Sequence, residues 1–234
     1  MKKYIEKGLV NMTKLILFPY AGSLGIGYNQ WMKQLRTRFE VHRITYTELK
    51  DGVRNYNCSS WEELISLTYE KILPIIKEGD YIFFGHSMGG RVEYEMYKKI
   101  LENNLPLPKK MYISGCRVLS IPSQDPRLQT EQEFRDEYIE LGGLSDEVLA
   151  CKELADLAFE DLRKDAILLS EFRFCPAKMD IPVVILNGSE DKHSPKEEWE
   201  ELLNCPVDWK LYEGKHFFIY DHQEEILEQL MAWA

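Results

Sequence analysis

Apolar positions along the chain follow two rhythms. Unbroken runs of strand length occur at Lys14-Leu15-Ile16-Leu17-Phe18-Pro19, 41–44, Tyr81-Ile82-Phe83-Phe84, Lys110-Met111-Tyr112-Ile113-Ser114, 181–187 and 207–212. Between them lie segments whose apolar residues recur every three or four positions. In 28–39, Trp31, Leu35 and Phe39 recur at four-residue intervals and form the seam of a helix. Ser60 precedes Trp61-Glu62-Glu63, so a capped helix is expected from there to about Lys77, with Pro74 limiting or kinking its last turn. Its seam is Trp61, Leu64, Ile65, Leu67, Ile72 and Ile76. Segment 91–101 has neither Gly nor Pro and reads as a helix, as do 195–203 and 224–233. Segment 45–60 is polar, with Asp51-Gly52 as a turn signal. From 129 to 174 charged residues dominate, Gly142-Gly143 breaks the run, and Val148, Leu149, Leu154, Leu157, Ala158 and Leu162 keep helical spacing, which marks a helical insertion. Strands alternating with helices imply an α/β class: a mainly parallel sheet covered by helices on both faces.

A length of 234 residues fits one such domain, 1–234, with the insertion at about 129–174. The composition, 44% apolar and 29% charged, is that of a soluble globular protein, and no stretch approaches the roughly 20 apolar residues of a membrane span. The start, Met1-Lys2-Lys3-Tyr4-Ile5-Glu6-Lys7, has basic residues with no apolar core behind them, so no signal peptide is expected and the cytoplasm is the expected location. Cys58, Cys116, Cys151, Cys175 and Cys205 have no C-x-x-C spacing and are odd in number, which favours reduced, packing cysteines over disulfides or a zinc site. A formal charge of −10 disfavours nucleic acid and anionic membranes as partners.

The candidate chemistry centres on Phe83-Phe84-Gly85-His86-Ser87-Met88-Gly89-Gly90, where an apolar strand meets a glycine-flanked serine and then a helix. The G-x-S-x-G pattern at Gly85, Ser87 and Gly89 reads as a nucleophile elbow, whose sharp turn leaves no room for side chains two before and two after the serine. The plain alternative is an ordinary glycine-containing turn. A serine hydroxyl becomes a nucleophile when a histidine takes its proton, and that histidine needs a carboxylate to hold its tautomer. The expected order is Ser, acid, His, with the partners on loops after later strands. His216 follows the last predicted strand; His193 and His222 are the weaker choices, the first on the acid's loop and the second on the surface at the start of the terminal helix. Asp191 follows strand 181–187 through a turn, with Glu190 as a competing neighbour and Asp180 at the wrong end of the strand. The bland reading of Asp191 is a cap for helix 195–203. Oxyanion donors are expected from the backbone N–H groups of Met88 and, by position in the loop after the first strand, Ala21. That loop, Tyr20-Ala21-Gly22-Ser23-Leu24-Gly25-Ile26-Gly27, fits neither phosphate nor dinucleotide glycine spacing, and its bland reading is a tight turn.

Several stretches taken together resemble the type II thioesterases that accompany nonribosomal peptide and polyketide synthetases, a branch of the α/β-hydrolases. They are Phe18-Pro19-Tyr20-Ala21-Gly22-Ser23 with Trp31 and Leu35, Gly85-His86-Ser87-Met88-Gly89 with Tyr94-Glu95, Ser114-Gly115-Cys116-Arg117, Leu141-Gly142-Gly143-Leu144 with Glu147-Val148-Leu149, and Gly214-Lys215-His216-Phe217-Phe218. The resemblance covers nearly the whole chain. It implies an α/β-hydrolase fold with a helical lid at about 129–174, and a Ser87, Asp191 and His216 triad with Ala21 and Met88 as oxyanion donors. The implied substrate is an acyl group on the phosphopantetheine arm of an acyl or peptidyl carrier protein domain. No cofactor of the enzyme's own and no metal are expected, and a monomer is expected. The chain departs from the family at Tyr46-Thr47-Glu48-Leu49-Lys50-Asp51-Gly52, where a P-G-R segment is common, and Arg91 and Glu93 are more polar than usual. Two other functions use the same scaffold: a general carboxylesterase for small esters, and a binding protein without catalysis.

Overall fold

Strand residues that alternate in sequence face opposite sides of a sheet, and here both sides are apolar, which is the pattern of strands buried on two faces. The computed structural model describes residues 12–23, 27–50, 53–56, 58–117, 125–192 and 194–233. In chain order its elements are β1 Lys14–Phe18, α1 Met32–Leu35, β2 Glu40–Arg43, β3 Thr47–Lys50, β4 Val53–Tyr56, α2 Trp61–Ile76, β5 Tyr81–His86, α3 Met88–Glu102, β6 Met111–Ser114, α4 Glu131–Leu141, α5 Asp146–Ala150, α6 Lys152–Ser170, β7 Val183–Gly188, α7 Lys196–Leu203, β8 Val207–Tyr212, α8 Phe218–Asp221 and α9 Gln223–Met231. The main sheet runs in the order β2-β1-β5-β6-β7-β8, and every pairing in it is parallel.

One core packs Ile16, Phe18, Phe83, Ile113 and Ile185 against α2, α3 and α7. The other packs their sequence neighbours Leu15, Leu17, Ile82, Phe84, Val184 and Leu186 against α1 and α9. The strand order reverses between β1 and β5, and ligands of open α/β sheets bind at the carboxyl ends beside such a reversal. Register pairs Phe18 with Gly85 and His86 with Ser114, so the loops after β1, β5 and β6 begin side by side. Here the fold is that of the α/β-hydrolases, as the sequence implies.

α2 starts as expected: the Ser60 hydroxyl accepts the Glu63 N–H at 3.2 Å, and Pro74 sits in the last turn. Thr68 takes a buried place on its seam, where Leu67 was expected, because Leu67 is only half-buried. Segment 28–39 is corrected. Trp31, Leu35 and Phe39 are all buried, but the α-helix holds only Met32–Leu35, because the Leu35 carbonyl accepts both the Arg38 and Phe39 amides and tightens the chain into turns. Polar segment 45–60 contains the antiparallel pair β3–β4, in which Lys50 faces Val53 across the Asp51-Gly52 signal. Asp51 and Gly52 themselves, His193, the first eleven residues and 24–26 of the glycine-rich loop lie outside the described residues.

Segment 129–174 is helical as expected, carrying α4, α5 and α6, with Gly142 ending α4 in the left-handed conformation at φ 82. Its buried face differs from the expected one. Leu154 and Leu157 are 53% and 62% exposed, and the seam is Ala155, Phe159, Leu162 and Ala166, packed around Phe134. Among the described residues, no helix is long and apolar enough to cross a membrane.

α3 approaches β1 at backbone distance. A methyl at Gly89 would lie 2.1 Å from the Phe18 carbonyl oxygen and 2.8 Å from its carbon, and neither atom can swing aside. Gly89→Ala should therefore lower unfolding free energy by about 2 kcal/mol or more in urea titrations. A variant as stable as the parent would contradict the close approach.

Candidate active site

β5 runs through Gly85 and His86, turns at Ser87, and continues as α3. Ser87 has φ 55 and ψ −116, a conformation that costs a residue with a side chain about 1–3 kcal/mol. Hydrogen bonds hold it there. Its N–H donates to the Ser114 carbonyl at 2.7 Å, and its own carbonyl accepts from the Gly90 N–H at 3.1 Å and the Cys116 thiol at 2.9 Å. A methyl at Gly85 would sit 2.4 Å from the carbonyl of Gly89, so the two glycines of the motif permit the turn by touching each other. The motif is an elbow rather than an ordinary turn. Met88 is the first residue of α3, where backbone N–H groups have no partner within the helix and the helix dipole is positive.

The loops after β7 and β8 are joined to each other. The Ser189 N–H donates to the Tyr212 carbonyl at 2.7 Å and the Glu190 N–H to the Gly214 carbonyl at 2.9 Å. Gly188 comes so near that a methyl there would lie 2.4 Å from the Lys215 carbonyl oxygen. This junction brings His216 Nδ1 to 2.7 Å from Asp191 Oδ2, with the two side chains only 12% and 10% exposed. The Asp191 N–H donates back to the Gly188 carbonyl at 3.2 Å and its Oδ1 accepts the Lys192 N–H at 2.8 Å, which aims the carboxylate. Since a carboxylate only accepts, Nδ1–H is the donor of this bond. Glu190 is exposed, and Asp180 pairs with Lys178 at 2.8 Å at the far end of the strand. His222 starts α9 as expected, with Nε2 on the Glu213 carbonyl at 2.9 Å.

Ser87 and His216 line one cleft of about 410 Å³ measured out to its mouth, together with Ala21 and Gly22 of the loop after β1. Tyr138, Leu141, Leu144 and Leu162 of the insertion supply its apolar wall. The loop after β1 is tied down on several sides. Tyr46 Oη donates to the Pro19 carbonyl at 3.1 Å, Tyr28 Oη to the Phe18 carbonyl at 2.9 Å, and the Tyr20 and Tyr220 hydroxyls bond each other. None of these tyrosine contacts announces itself in sequence. Their signal is only that Tyr20, Tyr28 and Tyr46 stand in otherwise polar or glycine-rich stretches.

Two ionisable groups lie buried beneath the serine. His86 is fully buried, with Nδ1 3.0 Å from the Ser114 hydroxyl and its ring 4.9 Å from that of His216. Burial, with a smaller contribution from His216, holds its pKa well below the usual imidazole range, so it stays neutral. Glu93 on α3 is also fully buried, and among the described residues neither carboxyl oxygen has a well-formed hydrogen bond. Burial pushes its pKa well above the usual carboxylate range, outweighing a smaller opposite pull from the Gly85 backbone. The unusual polarity of this helix position is thus carried as a neutral acid.

A parallel sheet with a strained serine between strand and helix, in one cleft with an imidazole bonded to a carboxylate, defines a serine hydrolase of the α/β-hydrolase class. The Thioesterase domain model matches residues 13–234, so the chain belongs to the thioesterase domain family and is a thioesterase by class. Over 96% of its length it is 32% identical to a Vibrio anguillarum protein named "Probable anguibactin biosynthesis thioesterase AngT", covering 92% of that protein. Among solved structures it resembles ClbQ from the colibactin NRPS/PKS pathway, with a TM-score of 0.83 at 23% identity over 94% of this chain and 96% of that one. It also resembles YbtT, a type II thioesterase from the yersiniabactin NRPS/PKS pathway, with a TM-score of 0.79 at 22% identity over 96% and 93% of the two chains.

A raised carboxyl pKa in the folded state makes stability depend on pH. Below the unfolded value both states hold the proton; above it the unfolded chain releases the proton while the buried group keeps it, so stability falls as pH rises towards the folded value. The slope is at most about 1.4 kcal/mol per pH unit. Glu93→Gln removes this titration. The difference in unfolding free energy, variant minus parent, should become more favourable to Gln as urea titrations move from pH 5 to pH 8, and a flat difference would contradict a neutral Glu93.

Proposed function

We propose that the protein hydrolyses thioesters joining acyl groups to the phosphopantetheine arm of acyl or peptidyl carrier protein domains, and so clears unwanted acyl groups from a nonribosomal peptide or polyketide synthetase. The observation that carries this reading is that His216, bonded to Asp191, lines one cleft with the strained Ser87. The names of AngT and YbtT support the pathway.

In this reading His216 Nε2 takes the Ser87 hydroxyl proton as Oγ attacks the thioester carbonyl. Asp191 stabilises the imidazolium that results. The oxyanion is met by the N–H groups of Met88 and Ala21, the first at the positive end of α3 and the second on the loop beside the elbow. When the tetrahedral adduct collapses, the C–S bond breaks and the imidazolium returns its proton to the pantetheine sulfur. Water then enters, loses a proton to His216 and attacks the acyl-serine, and the acid leaves with Ser87 restored. The reaction needs no cofactor beyond the substrate's own arm. Segment 129–174 acts as a lid that gates the acyl pocket, its apolar wall holding the acyl chain. The five cysteines are free, which suits the reducing cytoplasm, and the site is built from one chain, so a monomer suffices.

Ser87→Ala should lower turnover of an acyl-carrier thioester by about 10³-fold or more with the melting transition preserved, and Asp191→Asn should cost about 10³–10⁴-fold. Turnover retained by Ser87→Ala would remove the proposal. Faster hydrolysis of a matched soluble ester than of the carrier thioester would replace it with a carboxylesterase, and failure of a fluorophosphonate to label Ser87 would replace it with a binding protein.

A further inference from the structure

Asp165 belongs to α6 in the lid, yet it is only 4% exposed. Burying a carboxylate is unfavourable unless it is well bonded, and one of its bonds is to the site: Oδ2 accepts the Gly22 N–H at 2.8 Å. Gly22 follows Ala21 in the loop beside Ser87. The Ser23 N–H donates to the Tyr20 carbonyl at 3.1 Å, so residues 20–23 form a hydrogen-bonded β-turn, and Gly22 stands at its third position with φ 75. That is the sign of φ a type II turn requires there. The central peptide of such a turn has two orientations, and flipping it would replace the Gly22 N–H at Asp165 with the Ala21 carbonyl. A carboxylate facing a carbonyl oxygen is repelled. Asp165 therefore selects one orientation. One helical turn earlier, Leu162 lines the acyl cleft and packs on the same glycine, where a methyl would lie 3.0 Å from Leu162 Cδ1.

We infer that Asp165 is a positioning residue for the oxyanion hole: by holding the Gly22 N–H it fixes one form of the 20–23 turn and anchors that turn to the lid helix that contacts the acyl group, which keeps the neighbouring Ala21 N–H in place for the developing oxyanion. The inference rests on the reading of Ala21 as an oxyanion donor. An acyl chain seated against Leu162 and the amide that receives the developing charge are then held by one rigid helix.

Four proteins decide it: the parent, Asp165→Ala, Asp165→Asn and Asp165→Glu. They are compared in kcat per active site on an acyl-carrier thioester, with sites counted by fluorophosphonate titration, and in Ki for a trifluoromethyl ketone analogue of the thioester, which forms a tetrahedral oxyanion on Ser87. Asp165→Ala should lower kcat by about 10- to 100-fold with KM within about threefold, and the analogue Ki should rise in proportion to the loss in kcat/KM. Asp165→Asn, whose Oδ1 accepts at the same reach, should stay within about threefold of the parent, while Asp165→Glu, with its oxygens displaced by one bond, should fall by about tenfold. A purely structural role would reduce the titrated fraction and melting temperature but leave kcat per site and Ki unchanged, and that result overturns the inference. If Asp165→Ala does not fold, equal kcat for the Asn and Glu variants overturns it. A parent whose turnover is unaffected by Ser87→Ala would instead sink the proposed function, independently of Asp165.

Discussion

Ser87 holds its backbone at φ 55 because neighbouring chain segments close on it at backbone distance, and much of the site follows from that constraint. Gly85 and Gly89 touch across the turn, and Gly89 in turn abuts the Phe18 carbonyl. The contact that permits the elbow therefore also fixes where the loop after β1 begins. Ala21 reaches the cleft because β1 and β5 are neighbours in register and no side chain stands between them. The strain at Ser87 is sustained by this packing, as strained residues require.

The other half of the site is assembled separately. The loops after β7 and β8 are bonded backbone to backbone, so the His216–Asp191 pair is set by its own junction rather than by the elbow. Beneath both halves lie His86 and Glu93, each buried and each held in its neutral form. Neither adds a charge under the serine.

The insertion is built on its own small cluster around Phe134 and Phe159, and it meets Gly22 of the loop after β1 through Leu162 and Asp165. Its amphipathic face was only partly legible. Leucine at 154 and 157 has the right spacing for a helix but is exposed, and the actual seam uses Ala155, Phe159, Leu162 and Ala166. Two faces of a helix can both carry apolar residues at three- and four-residue spacing, and which one is buried depends on the partner it meets. The same limit applies to 28–39, where burial of Trp31, Leu35 and Phe39 was readable but the extent of helix was not.

The parallel strands were legible because burial on both faces leaves continuous apolar runs, and the elbow because its turn admits only glycine on either side of Ser87. Those are local chemical requirements, and sequence determines them by itself. The tyrosine ties on the first loop, the neutral state of Glu93 and the bond from Asp165 to Gly22 were decided only by tertiary structure. Each depends on which distant group comes to lie within hydrogen-bond reach or excludes water, and residue type alone carries no record of that distance.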